Sequence, residues 1–168
     1  NGTLKDDKFP SNPRFSSFLH LPHGIRGFFD YDEALTYARE VNKPLFIDFT
    51  GHGCVNCRKM EEYVWSEPKV LNRLKNNYVV VALYVDDKTT LSPEEWFTSN
   101  YDSKLKKTLG KQNFDFQMDT FQSNAQPLYV LLDNKENILI QPRSYDLDVN
   151  SFIEFLDEGK KKFDQVDN

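Results

Sequence analysis

The chain of 168 residues contains two cysteines, Cys54 and Cys57, which are separated by two residues. A disulfide between them closes a very small ring, and such a ring stabilises a fold little by restricting the unfolded chain. A Cys-x-x-Cys pair can instead exchange disulfides with another thiol, because one sulfur attacks and the other resolves the mixed disulfide. The pair therefore indicates redox chemistry more strongly than a structural cross-link.

Two carboxylates lie near the pair in the sequence. Asp48 is the charged residue of an apolar segment before the cysteines, and Glu61 follows Cys54 by seven residues, about two turns along one helix face. An ionised carboxylate close to a thiol disfavours the thiolate, and a buried Asp48 could accept the proton that Cys57 releases. A single glutamate on a helix also has a simpler interpretation, as an exposed partner of a neighbouring charge.

Other uses of the cysteines make different demands on the sequence. Covalent haem attachment requires His directly after the second cysteine, and Arg58 at that position excludes it. Zinc requires four ligands, which His20 and His23 would complete, although the irregular segment around them favours surface histidines. A zinc-stabilised module and a redox-inert pair, either free thiols or a structural disulfide, stay open as alternatives.

The sequence predicts a strand and a helix on the two sides of the cysteine loop. Residues 45–49 are apolar apart from one carboxylate, and their β-branched and aromatic content is typical of a strand covered on both faces. Gly51 and Gly53 end that strand, and residues 54–65 contain neither proline nor glycine, which predicts a helix. The unpaired N–H groups and the positive dipole at its start would stabilise a thiolate at Cys54.

The remaining segments predict an α/β fold. Helices are expected after Asp32 as the cap, after Ser66 with Pro68, after Ser92 with Pro93, over about 114–123, and over 152–163, where apolar residues recur at helical spacing. Residues 78–85 predict a strand of a parallel sheet, and residues 128–132 and 138–140 predict a hairpin. This order favours a mixed sheet with helices on both faces.

Length and composition place limits on the organisation and the partners. The length fits one domain at 29–168, preceded by a Pro- and Gly-containing segment, 1–28, that predicts an extended arm or linker. The formal charge of −5 and the scattered basic residues argue against a nucleic-acid partner. No apolar run approaches the roughly 18 residues of a membrane-spanning helix, and no signal-peptide pattern occurs.

The residues around the cysteines resemble a known family. Residues 46–61 read FIDFTGHGCVNCRKME, and residues 65–70 read WSEPKV. This segment resembles the C-terminal thioredoxin-like domain of the membrane thiol:disulfide interchange protein DsbD, and a looser similarity extends from about Phe28 to the last helix. The resemblance implies a thioredoxin-like fold with a cis-proline at Pro127. The segment before that proline is longer than a minimal thioredoxin needs, which predicts an added helical insertion at about 87–125.

The resemblance also implies roles for the site residues. Cys54 would be the nucleophile, Cys57 the resolving thiol, and Asp48 and Glu61 the carboxylates that raise the thiol pKa. The redox-active disulfide itself would be the redox group, with no separate cofactor. Gly53 stands where the family usually has tryptophan, and Thr50-Gly51-His52 replaces an aromatic, small, acidic run. These differences affect the rim of the site, which we expect His52 to line, and therefore the choice of partner.

The cellular setting follows from the same resemblance. It implies a periplasmic domain of a Gram-negative bacterium, tethered to an upstream membrane-spanning domain of the same precursor. Electrons would pass from that domain to periplasmic thiol/disulfide proteins, and so to protein isomerases and cytochrome c maturation. We expect the isolated domain to be a monomer. A free-standing periplasmic reductase or isomerase is the alternative that uses the same residues.

Overall fold

The fold is built from five helices and five strands over residues 8–166, the part of the chain that this computed structural model describes. The helices are α1 (Tyr31–Val41), α2 (Val55–Met60), α3 (Pro68–Asn77), α4 (Leu109–Phe121) and α5 (Val149–Val166). The strands are β1 (Leu45–Thr50), β2 (Val79–Tyr84), β3 (Phe97–Thr98), β4 (Leu105–Lys106) and β5 (Leu128–Leu132). A π-helical turn, Glu61–Trp65, continues α2, and a 3-10 turn spans Pro93–Glu95.

The central sheet has β1 between β2 and β5. β1 is parallel to β2 and antiparallel to β5, so the predicted mixed sheet is confirmed. Single bridges extend both edges, where Phe28 lies beside Val81 and Arg143 beside Tyr129. The expected second arm of the hairpin is shorter than predicted, because a bridge at Ile138 replaces a continuous strand there.

Helices cover both faces of the sheet, as predicted. Side chains of α2, its π-helical turn, α3 and α5 form one apolar cluster with Phe46, and α1 and α4 form another with Ile47 and Phe49. Successive residues of a strand point to opposite faces, so Asp48 shares the face of Phe46. The strand therefore places a carboxylate in the apolar layer beneath α2.

Several helices begin at residues other than those that the sequence predicts. Asp30 rather than Asp32 caps α1, since its carboxylate accepts the Glu33 N–H at 3.0 Å. Pro68 does begin α3, but Glu67 occupies the cap position and Ser66 bonds back to Glu62. The helix expected after Ser92 is one 3-10 turn, and α4 begins at Leu109 rather than near residue 114. The closing helix is confirmed, and its periodic apolar residues are buried.

Residues 8–28 have turns in place of helices and strands, yet they pack on the domain rather than extending from it. Leu19 is 2 % exposed in a third apolar cluster with Tyr84, Leu91 and Leu109. Arg14 pairs with Asp30 at 3.3 Å and also with Glu95. The first seven residues of the predicted arm lie outside the described residues. No helix within 8–166 has the length and apolarity needed to cross a membrane.

Residues 87–125 join β2 to β5 by a longer route than a single helix needs. Beyond α4, this segment contains the 3-10 turn and the short antiparallel ribbon of β3 and β4. Gly110 near the start of α4 donates its N–H to the Asp87 carbonyl at 2.9 Å. The segment therefore returns to the end of β2, next to the cysteine loop.

Candidate active site

Cys54 and Cys57 form a disulfide at the start of α2, with their Cα atoms 5.3 Å apart. Cys54 occupies the N-cap position, and its sulfur accepts the Cys57 N–H at 3.2 Å. Cys54 is half-buried, whereas Cys57 is 2 % exposed. A partner sulfur can thus reach Cys54, and Cys57 is shielded within the first turn of the helix.

Asp86, just beyond β2, holds the loop before the cysteines. Its carboxylate accepts the His52 N–H at 2.7 Å and the Gly53 N–H at 2.9 Å. A Cβ atom at Gly51 would lie 3.1 Å from the same carboxylate, so the loop is packed closely against it. Sequence reasoning did not identify this residue. The signal was available, because the carboxyl ends of the parallel strands β1 and β2 meet at one edge of the sheet.

His52 lies on the exposed side of this loop, two residues before Cys54. Its Nε2 is 2.8 Å from Asp87 Oδ2, and its ring centroid is 4.6 Å from that of Tyr84. Burial alone would raise the pKa of Asp87, but hydrogen bonds from Thr89 and His52 lower it below its ordinary value. Asp87 is thus an ionised partner that fixes the imidazole at the rim.

Asp48 lies under α2 with 2 % of its surface exposed. Its Oδ1 has no hydrogen-bond partner among the described residues. Burial, followed by repulsion from Glu61, raises the pKa of Asp48 well above its ordinary value, and Arg58 opposes the rise. A buried carboxyl with a raised pKa can hold a proton near neutral pH and exchange it with a nearby group.

Glu61 is not the exposed glutamate of the simpler interpretation. Its side chain is 13 % exposed, and Oε2 lies 2.7 Å from Arg58 Nε. Burial raises the pKa of Glu61, and the charges of Arg58 and His23 oppose the rise. Arg58 also donates to Thr50 Oγ1 at 2.8 Å, so its guanidinium links α2 to the end of β1. Sequence reasoning named Arg58 without predicting this pairing.

Pro127 lies at the same end of the sheet as the cysteine loop. The Gln126-Pro127 peptide bond is cis, as the resemblance implies. The next residue, Leu128, pairs with Phe49 of β1, and the cysteine loop follows directly after Thr50. The strand register therefore brings the proline to the point where β1 enters that loop.

The four residues of the zinc alternative do not come together. His23 Nε2 lies 2.7 Å from the carbonyl oxygen of Glu61, and the His20 carbonyl accepts the Tyr84 hydroxyl at 3.0 Å. Within residues 8–166, no three His, Cys, Asp or Glu side chains form a group that could hold a metal ion. The two histidines instead connect the arm to α2 and β2.

Three solved structures share this architecture over most of the chain. A thioredoxin from Thermus thermophilus is 19 % identical with a TM-score of 0.61, covering 87 % of this chain and 95 % of its own. A DsbH oxidoreductase is 16 % identical with a TM-score of 0.59, and the match covers 85 % of this chain and 91 % of the DsbH chain. The oxidised DsbD C-terminal domain of Neisseria meningitidis is 15 % identical with a TM-score of 0.52, and the match covers 80 % of this chain and 99 % of the DsbD domain.

These identities are low, so the structural likeness establishes the fold and nothing finer. No curated protein matches the chain in sequence. The thioredoxin-like family matches over residues 26–134, which include both cysteines, both carboxylates beneath and along α2, and the cis-proline. Because that match spans about two thirds of the sequence, this chain belongs to the thioredoxin-like family.

Proposed function

We propose that this protein is a thiol–disulfide oxidoreductase that transfers two electrons through Cys54 and Cys57. The observation that carries the proposal is the unequal exposure of two cysteines joined by a disulfide. Cys54 is half-buried at the start of α2, while Cys57 is 2 % exposed one turn further on. The more exposed Cys54 can thus attack a partner, and the shielded Cys57 can release that partner.

In the reduced protein, the Cys54 thiolate attacks a partner disulfide. A bond forms between Cys54 Sγ and one partner sulfur, and the other partner sulfur leaves as a thiolate. Cys57 then loses its proton and attacks Cys54 Sγ, which restores the internal disulfide and releases the second partner thiolate. In its ionised form Asp48 is the acceptor for the Cys57 proton in this proposal, because it lies beneath the same helix and its raised pKa makes the carboxylate a stronger base than an ordinary aspartate.

The finer proposal is a reductase linked to a membrane-spanning domain of its own precursor. It rests on the resemblance of residues 46–70 to the DsbD C-terminal domain, and the likeness to an oxidised DsbD C-terminal domain supports it. Electrons would arrive from the membrane domain and leave to periplasmic thiol/disulfide proteins. The disulfide is the redox group in this scheme, without a separate cofactor.

A free-standing periplasmic reductase or isomerase is the second candidate. The packed arm favours it, because residues 8–28 are held to the domain by Arg14 and Leu19 and do not form a free linker. The likeness to a thioredoxin supports it as well. Reading the coding sequence upstream of Asn1 separates the two candidates, since membrane spans there favour the linked reductase and a secretory signal favours the free enzyme.

The activity is tested by reduction of insulin disulfides with dithiothreitol as the electron donor. We expect Cys54→Ser to abolish catalysed reduction, because no nucleophile remains at the exposed position. Cys57→Ser, reduced first, freed of dithiothreitol and then mixed with insulin, is expected to accumulate a mixed disulfide between Cys54 and the substrate, visible as a mass increase under non-reducing conditions. Equal turnover by both variants and the wild type would refute the proposal.

A further inference from the structure

A groove of about 490 Å³ lies beside the cysteine loop, between the arm and α2. Residues 18–23 form its arm side, and Arg58, Glu61 and Glu62 form its helix side. His52 and Tyr84 complete the lining, and His52 also belongs to the loop that carries Cys54. We call this concavity the arm groove.

The arm groove presents an aromatic side chain that the fold holds in place. Leu19 anchors the arm in the third apolar cluster with 2 % exposure, while the adjacent Phe18 keeps 41 % of its surface exposed. His23 contacts the Glu61 carbonyl and fixes the other end of the arm side. A preformed concavity with an exposed aromatic is the kind of surface on which an apolar side chain of a partner packs.

The charge of the groove is negative. Arg58 pairs with Glu61 at 2.7 Å, so these two charges offset each other. Glu62 is exposed and makes no ion pair among the described residues. With histidine counted as neutral, one unit of negative charge is left in the lining, and it complements a basic side chain.

We propose that the arm groove binds the polypeptide flanking a partner's disulfide and selects an apolar side chain together with a basic one. This inference rests on the proposed function, because only a partner bonded to Cys54 is brought to this surface. The groove continues directly from the reactive loop through His52. It lies on the β2 side of β1, whereas Pro127 precedes β5 on the other side, so partner contacts extend away from the cis-proline.

The test compares rate constants of the reduced protein with three disulfides. The probes are a peptide with Phe and Lys on both sides of its cysteine, a matched peptide with Ser and Glu there, and 5,5′-dithiobis(2-nitrobenzoate). Both peptides carry thionitrobenzoate on the cysteine, so one absorbance reports every reaction. The Phe–Lys peptide is expected to react faster than the Ser–Glu peptide with the wild type.

The variants are Phe18→Ala and a matched control, Phe97→Ala, at an aromatic that is 39 % exposed outside the groove. Phe18→Ala is expected to lower the rate constant for the Phe–Lys peptide by about fivefold to tenfold. The small disulfide should react at the same rate with Phe18→Ala as with the wild type. Glu62→Lys is expected to reduce the preference for the Phe–Lys peptide, because it removes the charge contribution, and Phe97→Ala should change no rate.

Any of the following results would overturn the inference that the arm groove binds the partner. Equal peptide rates for Phe18→Ala and the wild type would show that the groove is not used. If Phe18→Ala lowered the rate constant for the small disulfide as much as that for the Phe–Lys peptide, the substitution would act on the reactivity of Cys54 and not on peptide binding. Self-association that Phe18→Ala abolishes would assign the groove to a second copy of the chain. A wild type that reacts with none of the three probes would refute the proposed function itself, since the small disulfide needs no groove.

Discussion

At the residue scale, Asp48 has an environment that opposes its charge. The carboxyl is 2 % exposed, Oδ1 has no hydrogen-bond partner among residues 8–166, and Glu61 lies along the helix above it. Only the Arg58 charge favours the ionised form. The protein therefore keeps a destabilising group next to its reactive helix, and this is expected of a residue retained for proton transfer.

Asp48→Asn is predicted to stabilise the protein at neutral and alkaline pH. The raised pKa means that, above the unfolded value of about 3.9, the native state holds a proton that the unfolded state has lost. Stability of the wild type thus falls as pH rises through the native pKa, and the variant lacks this loss. We expect a gain of about 1–3 kcal/mol at pH 8, because asparagine has no proton to lose and each unit of the pKa rise corresponds to about 1.4 kcal/mol of stability.

Urea denaturation of the two proteins between pH 4 and pH 8 measures this effect. Both proteins are kept oxidised, so that thiol titration does not contribute. The difference in the free energy of unfolding should shrink towards pH 4. Parallel pH profiles would contradict a buried, protonated Asp48.

The site residues divide into those that the sequence reveals and those that only the fold reveals. Cys54, Cys57 and Asp48 stand out by residue type and spacing within a few turns of chain. Asp86 and the Arg58 pairing with Glu61 do not, because they depend on the register of β2 and on burial of α2. The hold of Asp86 on the loop and the pairing of Arg58 with Glu61 are thus tertiary properties, whereas the place of His52 at the rim follows from its position two residues before Cys54.

At the scale of elements, the contact between α4 and the end of β2 keeps the cysteine loop in place. A Cβ atom at Gly110 would come within 2.5 Å of the Asp87 carbonyl oxygen and 2.9 Å of the Val85 carbonyl oxygen. Both are backbone atoms next to Asp86, which binds the loop. The helix can approach this closely only because Gly110 has no side chain.

Gly110→Ala is predicted to destabilise the protein by about 1–3 kcal/mol, although alanine favours helices, because the backbone must shift to admit the methyl group. Gly53→Ala is the matched control, since its Cβ would meet Asp86 at an ordinary 3.7 Å. Thermal or urea unfolding of the oxidised proteins measures both changes. Equal stability of the two variants would argue against a close contact at Gly110.

The same contact explains which elements the sequence predicts. β1, β2 and α5 follow from unbroken apolar runs or helical periodicity, and they form as predicted. The start of α4 does not follow from local propensity, because Gly110 packs on Asp87 and Asn113 donates to the Tyr84 carbonyl at 3.0 Å. Tertiary contacts override the weak local preference of asparagine and glycine.

At the scale of the whole molecule, the arm and the segment after β2 form a third layer of apolar contacts. Leu19 of the arm belongs to one apolar cluster with Tyr84, Leu91 and Leu109, which come from β2, the following segment and α4. The composition of residues 1–28 predicts a linker because proline and glycine interrupt every period. Packing of single large side chains leaves no periodic signal, so that layer cannot be read from the sequence.

Leu19→Ala is predicted to lower the free energy of unfolding by about 2–4 kcal/mol, because it removes a buried side chain from this layer. Phe18→Ala at the adjacent exposed position is the control and should change stability much less. Urea unfolding followed by tryptophan fluorescence measures both. A Leu19→Ala variant as stable as the wild type would mean that the arm does not pack on the domain in solution.

A redox titration of the wild-type protein tests the central claim most directly. The protein is equilibrated at graded ratios of reduced to oxidised dithiothreitol, and alkylated thiols are counted by mass spectrometry. The account predicts one two-electron transition in which Cys54 and Cys57 become labelled together, with about 30 mV for each tenfold change in the equilibrium constant. Labelling that does not respond to the ratio, or that involves one cysteine alone, would contradict it.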